Sequence, residues 1–220
     1  MGKLICGIDD AGRGPVIGPM IMAGVILDEE DLPKLREVGV KDSKLLTQKQ
    51  REKICYEIKK IVKEYKIVRI YPEEIDKTVM SNGASNLNWL EAEKMAEIIN
   101  ELKPEEVIID CPSTNLKAFH AFLSKKLKVK TNLSCYHKAE RFFHVGAASI
   151  QAKCAREEEV KLIKEKVGEC GSGYPADPIT QKFLKENWNK YPEIFRHSWS
   201  SYQVYSEGKK SKKQKTLGDY

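Results

Sequence analysis

The 220-residue sequence holds no apolar stretch long enough to cross a bilayer, and residues 1–20 carry no signal-peptide pattern. Both lacks point away from a membrane or secreted protein and toward a soluble, cytoplasmic one. Also missing are any CxxC pair and any Cys/His spacing suited to zinc. The six cysteines, Cys6, Cys55, Cys111, Cys135, Cys154 and Cys170, are scattered and read as reduced packing residues. Strong charge is absent from the body of the chain. Of the net +6, residues 209–220 supply +4, with five lysines against one aspartate, which leaves +2 for the remainder. A balance that small does not by itself argue for nucleic acid. No internal repeat is visible. The length suits one domain, or one domain with an appendage, large enough to bury a real core.

What is present begins with ICGIDDAGRGPVIGP. Residues 4–8 form a short apolar run that reads as a buried strand. Asp9 and Asp10 stand where that strand would surface. Adjacent carboxylates repel, and aspartate is a poor strand residue, so folding alone does not favour the pair. An Asp-rich turn is the plain reading. A cation site is the sharper one, because a hard divalent metal turns the repulsion into attraction.

Residues 20–27 (MIMAGVIL) read as a second strand, and the Gly-Pro turns before it suit a hairpin with the first. Thr47 with Gln50 makes a capping box, and Ile54, Ile58, Ile61 and Val62 recur behind it at helical spacing. Residues 65–71 (YKIVRIY) are a third strand. A helix opens at 72–76, and NLNWLEAEKMAEIINEL carries Ala92, Met95, Ala96, Ile99 and Leu102 on one stripe. EVIID is a compact strand ending at Asp110, stopped by Cys111 and Pro112. A helix with Leu116, Phe119, Phe122, Leu123 and Leu127 follows, then a strand near 129–136. From His137 the spacing predicts one long helical stretch whose small residues, GAASIQA, suit close packing on a sheet. GECGSGYPADP is a turn-rich loop, and PITQKFLKENWNKY is helical again. From Ser206 on, the lysine-rich chain reads as a disordered tail. The alternation predicts an α/β fold with a mixed sheet.

Asp110 ends its strand as Asp9 does. If those strands are neighbours, both carboxylates emerge at one edge of the sheet, where α/β folds place their sites. A strand-end aspartate alone is as readily a helix cap. The third candidate is Glu140, after His137, Lys138 and Ala139 at a predicted helix start. Its plain reading is a favourable charge on the helix dipole.

Taken in order, GIDDAGRGPVIGP, VKDSKLL, IIDCPS, HKAE followed by HVGAASIQAK, and GSGYPADP resemble the motifs of type 2 ribonuclease H (ribonuclease HII), particularly its archaeal form. The resemblance covers residues 4–180, with weaker similarity at RHSWSSY. A phosphate-cradling P-loop competes for GRGPVIG, but it lacks the Gly-Lys-Ser/Thr ending and a helix directly after.

The resemblance implies a ribonuclease H-like α/β fold, with a mixed central sheet flanked by helices and a helical C-terminal part, over residues 1–205, and a basic tail over 206–220. It implies a metal-dependent endoribonuclease that cleaves RNA of RNA/DNA hybrids and incises 5′ of single ribonucleotides embedded in duplex DNA. The ends are 3′-hydroxyl and 5′-phosphate. A catalytically weakened relative that binds hybrid duplex without efficient cleavage is the alternative.

The resemblance also implies four catalytic carboxylates, Asp9, Asp10, Asp110 and Glu140, holding two Mg2+ or Mn2+ ions. The family's order is Asp, Glu, Asp, Asp, so this chain departs at the second and fourth positions, each by about one methylene. Adjacent strand residues face opposite ways, so the strand is expected to end or twist between Asp9 and Asp10. The family reads the ribonucleotide's 2′-hydroxyl with a Gly-Arg-Gly loop and a tyrosine, here Gly12, Arg13, Gly14 and Tyr174. A buried core tyrosine is the plain reading of Tyr174. Lys44, Lys138 and Lys153 resemble positions near phosphates, with solvated lysines as the alternative.

In the tail, Gln214, Leu217 and Tyr220 have the spacing Q-x-x-L-x-x-aromatic, which resembles the peptide by which repair enzymes dock on the sliding clamp. The alternative is a polar tail whose lysines hold phosphates. The expected partners are therefore RNA/DNA hybrid, ribonucleotide-bearing DNA and a clamp, with no membrane, and the chain reads as a monomer.

Overall fold

The computed structural model describes residues 2–40, 46–82 and 86–206. The chain opens with a hairpin, β1 (Leu4–Ala11) and β2 (Met20–Asp28), followed by a 3-10 turn (Glu29–Asp31) and the short α1 (Leu32–Glu37). Then come α2 (Gln48–Ile61), β3 (Glu64–Ile70), α3 (Pro72–Asn82) and α4 (Asn86–Leu102). Next are β4 (Glu106–Asp110), α5 (Leu116–Lys126) and β5 (Asn132–Tyr136). A second 3-10 turn (Ala139–Arg141) precedes the long α6 (Phe143–Val167), and α7 (Pro178–Asn187), a turn (Pro192–Ile194) and α8 (Ser200–Ser206) complete the described chain.

The strands form one mixed sheet in the order β3-β2-β1-β4-β5. β1 is antiparallel to β2 and parallel to β4, so the strand carrying Asp9 and the strand carrying Asp110 are neighbours, as the sequence reading requires. Period-two alternation sends β1 side chains to two different cores. Cys6 and Ile8 pack with Met95, Ile99 and Phe119 on the face covered by α4 and α5. Ile5, with Val25 and Leu27, meets Ile58 of α2 and Ala147 and Ile150 of α6 on the other. Local signals set the helix starts. Thr47 and Gln50 exchange capping-box hydrogen bonds at α2, and Asp177 accepts from the Ile179 amide at α7, where Pro178 takes the first helical position.

Three expectations are corrected. β1 does not end between Asp9 and Asp10; it stays paired with β2 through Asp9↔Ala23, Asp10↔Met22 and Ala11↔Ile21, because the ladder continues wherever β2 supplies a partner. The last strand begins at Asn132, three residues later than 129. The stretch from His137 is not one helix. Lys138 takes a left-handed backbone (φ 55) and Phe142 is extended, so Glu140 sits in an isolated 3-10 turn and α6 starts only at Phe143. Two short helices, α1 and α8, carry too little periodicity to be read in the sequence. Among the described residues no helix is long and apolar enough to cross a membrane, and the six cysteines are free thiols, five of them buried. Lys44 and the whole docking-like peptide, Gln214, Leu217 and Tyr220, lie outside the described residues.

The small residues of α6 let it approach the sheet to backbone contact. A Cβ added at Gly7 would lie 2.3 Å from the His144 carbonyl carbon and 2.4 Å from the Val145 nitrogen, atoms that cannot swing aside. Gly7→Ala is therefore expected to lower unfolding free energy by about 3 kcal/mol, the upper range for overpacking. At Gly14 the nearest atom is 3.7 Å away, in the Tyr174 ring. Gly14→Ala should leave stability within about 0.5 kcal/mol of the original. Urea denaturation of both variants checks the contrast.

Candidate active site

At the β1–β4 boundary Ile8 lies opposite Ile109, so Asp9 and Asp110 follow on the next rung. Asp9 is buried on the α6 side, where the Ser149 hydroxyl bonds its carboxylate, and its Oδ1 also accepts from the Asp10 amide at 2.8 Å. Asp10 is half-buried and turned toward Glu91 and Arg13. Asp110 Oδ1 accepts from the Ala139 amide at 3.2 Å, which brings the Glu140 carboxylate against it. The carboxylates thus form a chain: Asp9 beside Asp10, Asp110 within electrostatic reach of both, and Glu140 beside Asp110. Among the described residues no three Asp, Glu, His or Cys side chains already stand as a set able to hold one metal ion.

Crowding shows in the acidities. Burial, and then the charge of Asp10, push Asp9 up to about 7 against the opposing bonds from Ser149 and the Asp10 amide. Burial and the charge of Glu91 push Asp10 up to about 7, with Arg13 and Arg196 working the other way. Asp110 is raised by burial and by Glu140. All four groups are hard oxygen donors, and burial, with neighbouring carboxylates second to it, biases the three aspartates toward protonation. That donor set fits a hard divalent cation such as Mg2+ or Mn2+.

Beside the carboxylates, Asp10, Arg13, Gly14, Lys153, Arg156 and Tyr174 line one groove of about 470 Å³, within the range of ligand clefts. Its wall is built by packing across the chain. Gly12 has φ +81, and a Cβ there would meet Arg156 Cδ at 2.5 Å. Arg156 in turn lies 4.9 Å from the Tyr174 ring and donates to the Ser172 carbonyl at 2.8 Å. The amides of Val16 and Ile17 both donate to the Gly173 carbonyl. The Gly-Arg-Gly loop and the GSGYP loop are therefore one surface. Tyr174, 41% exposed, is available to a ligand and is not a core residue.

Of the sequence candidates, Asp9, Asp10, Asp110 and Glu140 gather as described, and Gly12, Arg13, Gly14, Lys153 and Tyr174 surround the adjoining groove. Lys138 is exposed on the connection from β5 to the 3-10 turn. Sequence reasoning missed four contributors: Arg156, Arg196, Glu91 and Ser149. Arg196 is fully buried and donates to the carbonyls of Gly12 (2.6 Å), Arg13 (2.8 Å) and Gly18 (3.0 Å). Glu91 had a legible signal, a charge four residues before Met95 on the apolar side of its helix. Arg156 and Arg196 had none, because their partners are 16 to 184 residues away in sequence.

A mixed sheet in this order, with acidic groups at the shared end of β1 and β4, defines a hydrolase of the ribonuclease H-like class. A family model described as Ribonuclease HII matches residues 6–202. Ribonuclease HII of Pyrococcus furiosus is 41% identical over 98% of this chain and 96% of its own, and that of Methanococcus maripaludis strain C7 is 44% identical over 91% and 86%. The crystal structure of ribonuclease H2 from Pyrococcus horikoshii OT3 superposes with a TM-score of 0.86 at 37% identity, covering 93% of this chain and 98% of that one. The enzyme in the PCNA:RNase HII complex from Archaeoglobus fulgidus gives 0.81 at 38% identity, covering 99% and 100%. The chain belongs to the ribonuclease HII family. It is an endonucleolytic ribonuclease H acting on RNA paired with DNA, and the family depends on divalent metal.

The raised pKa of Asp9 fixes the sign of its effect on stability. Between its ordinary value near 3.8 and about 7 the folded protein holds a proton that the unfolded chain releases. This contribution to stability therefore declines as pH rises across that window. Asn at this position keeps the oxygen that accepts from the Asp10 amide and removes the charge. At pH 8 without divalent ions, Asp9→Asn should melt above the original protein, by about 2–4 °C for each kcal/mol regained. Millimolar Mg2+ should raise the melting temperature of the original protein and leave that of the variant unmoved. Calorimetric scans with and without Mg2+ measure both.

Proposed function

We propose that this enzyme incises duplex DNA on the 5′ side of a single embedded ribonucleotide, as well as cutting longer RNA/DNA hybrids, and leaves 3′-hydroxyl and 5′-phosphate ends. The observation that carries the reading is the joining of the Gly-Arg-Gly loop to Tyr174 through Arg156, directly beside the carboxylates. Whole-chain similarity to relatives named ribonuclease HII favours a cutting enzyme over a weakened, hybrid-binding one.

Two divalent ions, magnesium or manganese, bound by Asp9, Asp10, Asp110 and Glu140, would supply an activated water and stabilise the leaving 3′ oxygen for in-line displacement at phosphorus. Asp10 is shorter and Glu140 longer than the family's pattern, and both border Asp110 electrostatically, so the added reach of one side answers the lost reach of the other. Arg196 and Trp199 draw the carbonyls of Gly12, Arg13 and Gly14 inward, which leaves backbone N–H groups as what this loop can most readily offer a 2′-hydroxyl. The Tyr174 ring, backed by Arg156, stacks on the next sugar. Lys153, in the same groove, meets a phosphate, as does the exposed Lys138, and the motif resemblance assigns the same role to Lys44.

A duplex containing one ribonucleotide tests this reading. Cleavage should map to its 5′ side, require added divalent metal, and vanish in all-DNA duplex; cutting elsewhere or in excess chelator contradicts it. Tyr174→Ala should lose about tenfold more activity on the single ribonucleotide than on a long hybrid, the low end of what a ring stacked on a base contributes (about 1–3 kcal/mol), because a hybrid offers many registers. Equal losses would return Tyr174 to a packing role.

The C-terminal peptide gives this enzyme a second partner, a sliding clamp. The sequence Gln214, Leu217, Tyr220 supports the assignment, as does the complex of the Archaeoglobus fulgidus relative with PCNA. Deleting residues 214–220 removes the anchoring side chains and only one lysine. The deletion should abolish clamp binding in a pull-down and clamp-stimulated cleavage, yet leave cleavage of a short oligonucleotide without clamp within about twofold, as expected when little phosphate-binding charge is lost. Unchanged clamp binding would leave the tail an electrostatic tether.

A further inference from the structure

Arg13 is the one long side chain in the Gly-Arg-Gly loop, and its guanidinium donates twice to α4. Its Nε donates to Glu91 Oε1 at 2.8 Å and its Nη2 donates to Asn88 Oδ1 at 2.7 Å. Asn88 and Glu91 are three residues apart, hence on one helix face, and present a fork matched to a planar guanidinium. Glu91 is fully buried, while Arg13 keeps 42% of its side chain exposed. Among the described residues the other oxygen of Glu91 has no hydrogen-bond partner.

Such an ion pair is a poor stabiliser of a fold. Burying a carboxylate with one oxygen unsatisfied costs more than an apolar residue of the same size would. What the pair does accomplish is geometric. The loop's carbonyls are already tied down by Arg196 and Trp199. The Glu91–Asn88 fork adds hydrogen bonds from α4 to the Arg13 side chain itself.

We propose that Glu91 and Asn88 are positioning residues that hold Arg13, and through it the Gly12–Gly14 backbone, in the register that distinguishes a ribonucleotide from a deoxyribonucleotide. This rests on the reading that the loop detects the 2′-hydroxyl. A long hybrid presents a 2′-hydroxyl at every step and tolerates a displaced loop. A single ribonucleotide presents one and does not. The fork therefore acts on substrate selection more than on the hydrolytic step.

The experiment compares kcat/KM for the original protein, Glu91→Gln, Asn88→Ala, Arg13→Ala and the Arg13→Ala/Glu91→Gln pair. The substrates are a DNA duplex with one ribonucleotide and a hybrid of the same length, at saturating Mg2+. Glu91→Gln keeps the shape and removes the charge. Its loss on the single ribonucleotide should exceed its loss on the hybrid by about tenfold, a displacement of well under 1 Å being enough for that. The double variant should be no worse than Arg13→Ala alone, because both act through one tether. Equal losses on the two substrates, or additive losses in the pair, overturn the proposal. If melting curves show that Glu91→Gln does not fold, the partly exposed Asn88→Ala reads the same ratio, and an unchanged ratio there overturns it too. Failure of the original protein to cut at the ribonucleotide while it cuts the hybrid overturns the reading of the loop and this inference together. Normal cutting with an unchanged ratio overturns the inference alone.

Discussion

Carboxylates crowded together under a protein surface cannot all ionise unless positive charge surrounds them, and this constraint organises the molecule. Asp9, Asp10 and Asp110 lie at the end of two adjacent strands, with Glu140 and Glu91 beside them; burial first, and then neighbouring carboxylates, raise the pKa of the three aspartates, while burial raises that of Glu91. The protein offsets part of this rise. Arg13 and Arg196 lower the penalty at Asp10 and Glu91. The family depends on divalent metal, and the hard-oxygen donor set gathered here fits such an ion.

Arg196 carries a second part of the design. Its guanidinium is wholly buried, and burial pulls its pKa down to about 9, still above neutral pH. It stays charged because three carbonyls of the β1–β2 connection surround it. The segment around it adds an isolated bridge, Ile17↔Phe195, and Asp76 fixes the turn behind it by accepting from His197 and Ser198. Val16 and Ile17 belong to the same apolar cluster as Phe183, Leu184 and Tyr202. The C-terminal helices are therefore the mould in which the loop beside the carboxylates is cast, not an appendage to the sheet.

The packing of α6 sets the depth of the site. Gly7 admits the helix backbone on one face of the sheet, while Gly24, where a Cβ would meet Ile98 at 2.3 Å, admits α4 on the other. With both helices this close, Ser149 of α6 reaches Asp9 and Glu91 of α4 comes within charge range of Asp10. The adjacent aspartates keep ordinary strand alternation and yet share a site, because the helices rather than a break in the strand bring the chemistry to both faces.

The sequence by itself determined the local order of the structure and the acidic residues. Thr47 and Gln50 announced α2, the apolar runs announced the strands, and the paired Asp9 and Asp10 announced a charge cluster that folding did not favour. The order of the motifs carried the family, because each motif is a run of adjacent residues legible without the fold. The tertiary structure alone decided what reaches them. That β1 continues through Ala11 depends on β2 offering partners, and that Glu140 leaves the helix depends on a left-handed Lys138. That Arg196 and Glu91 serve a loop far from them in the chain depends on burial, and sequence periodicity cannot register a charge whose partner is supplied by another part of the fold.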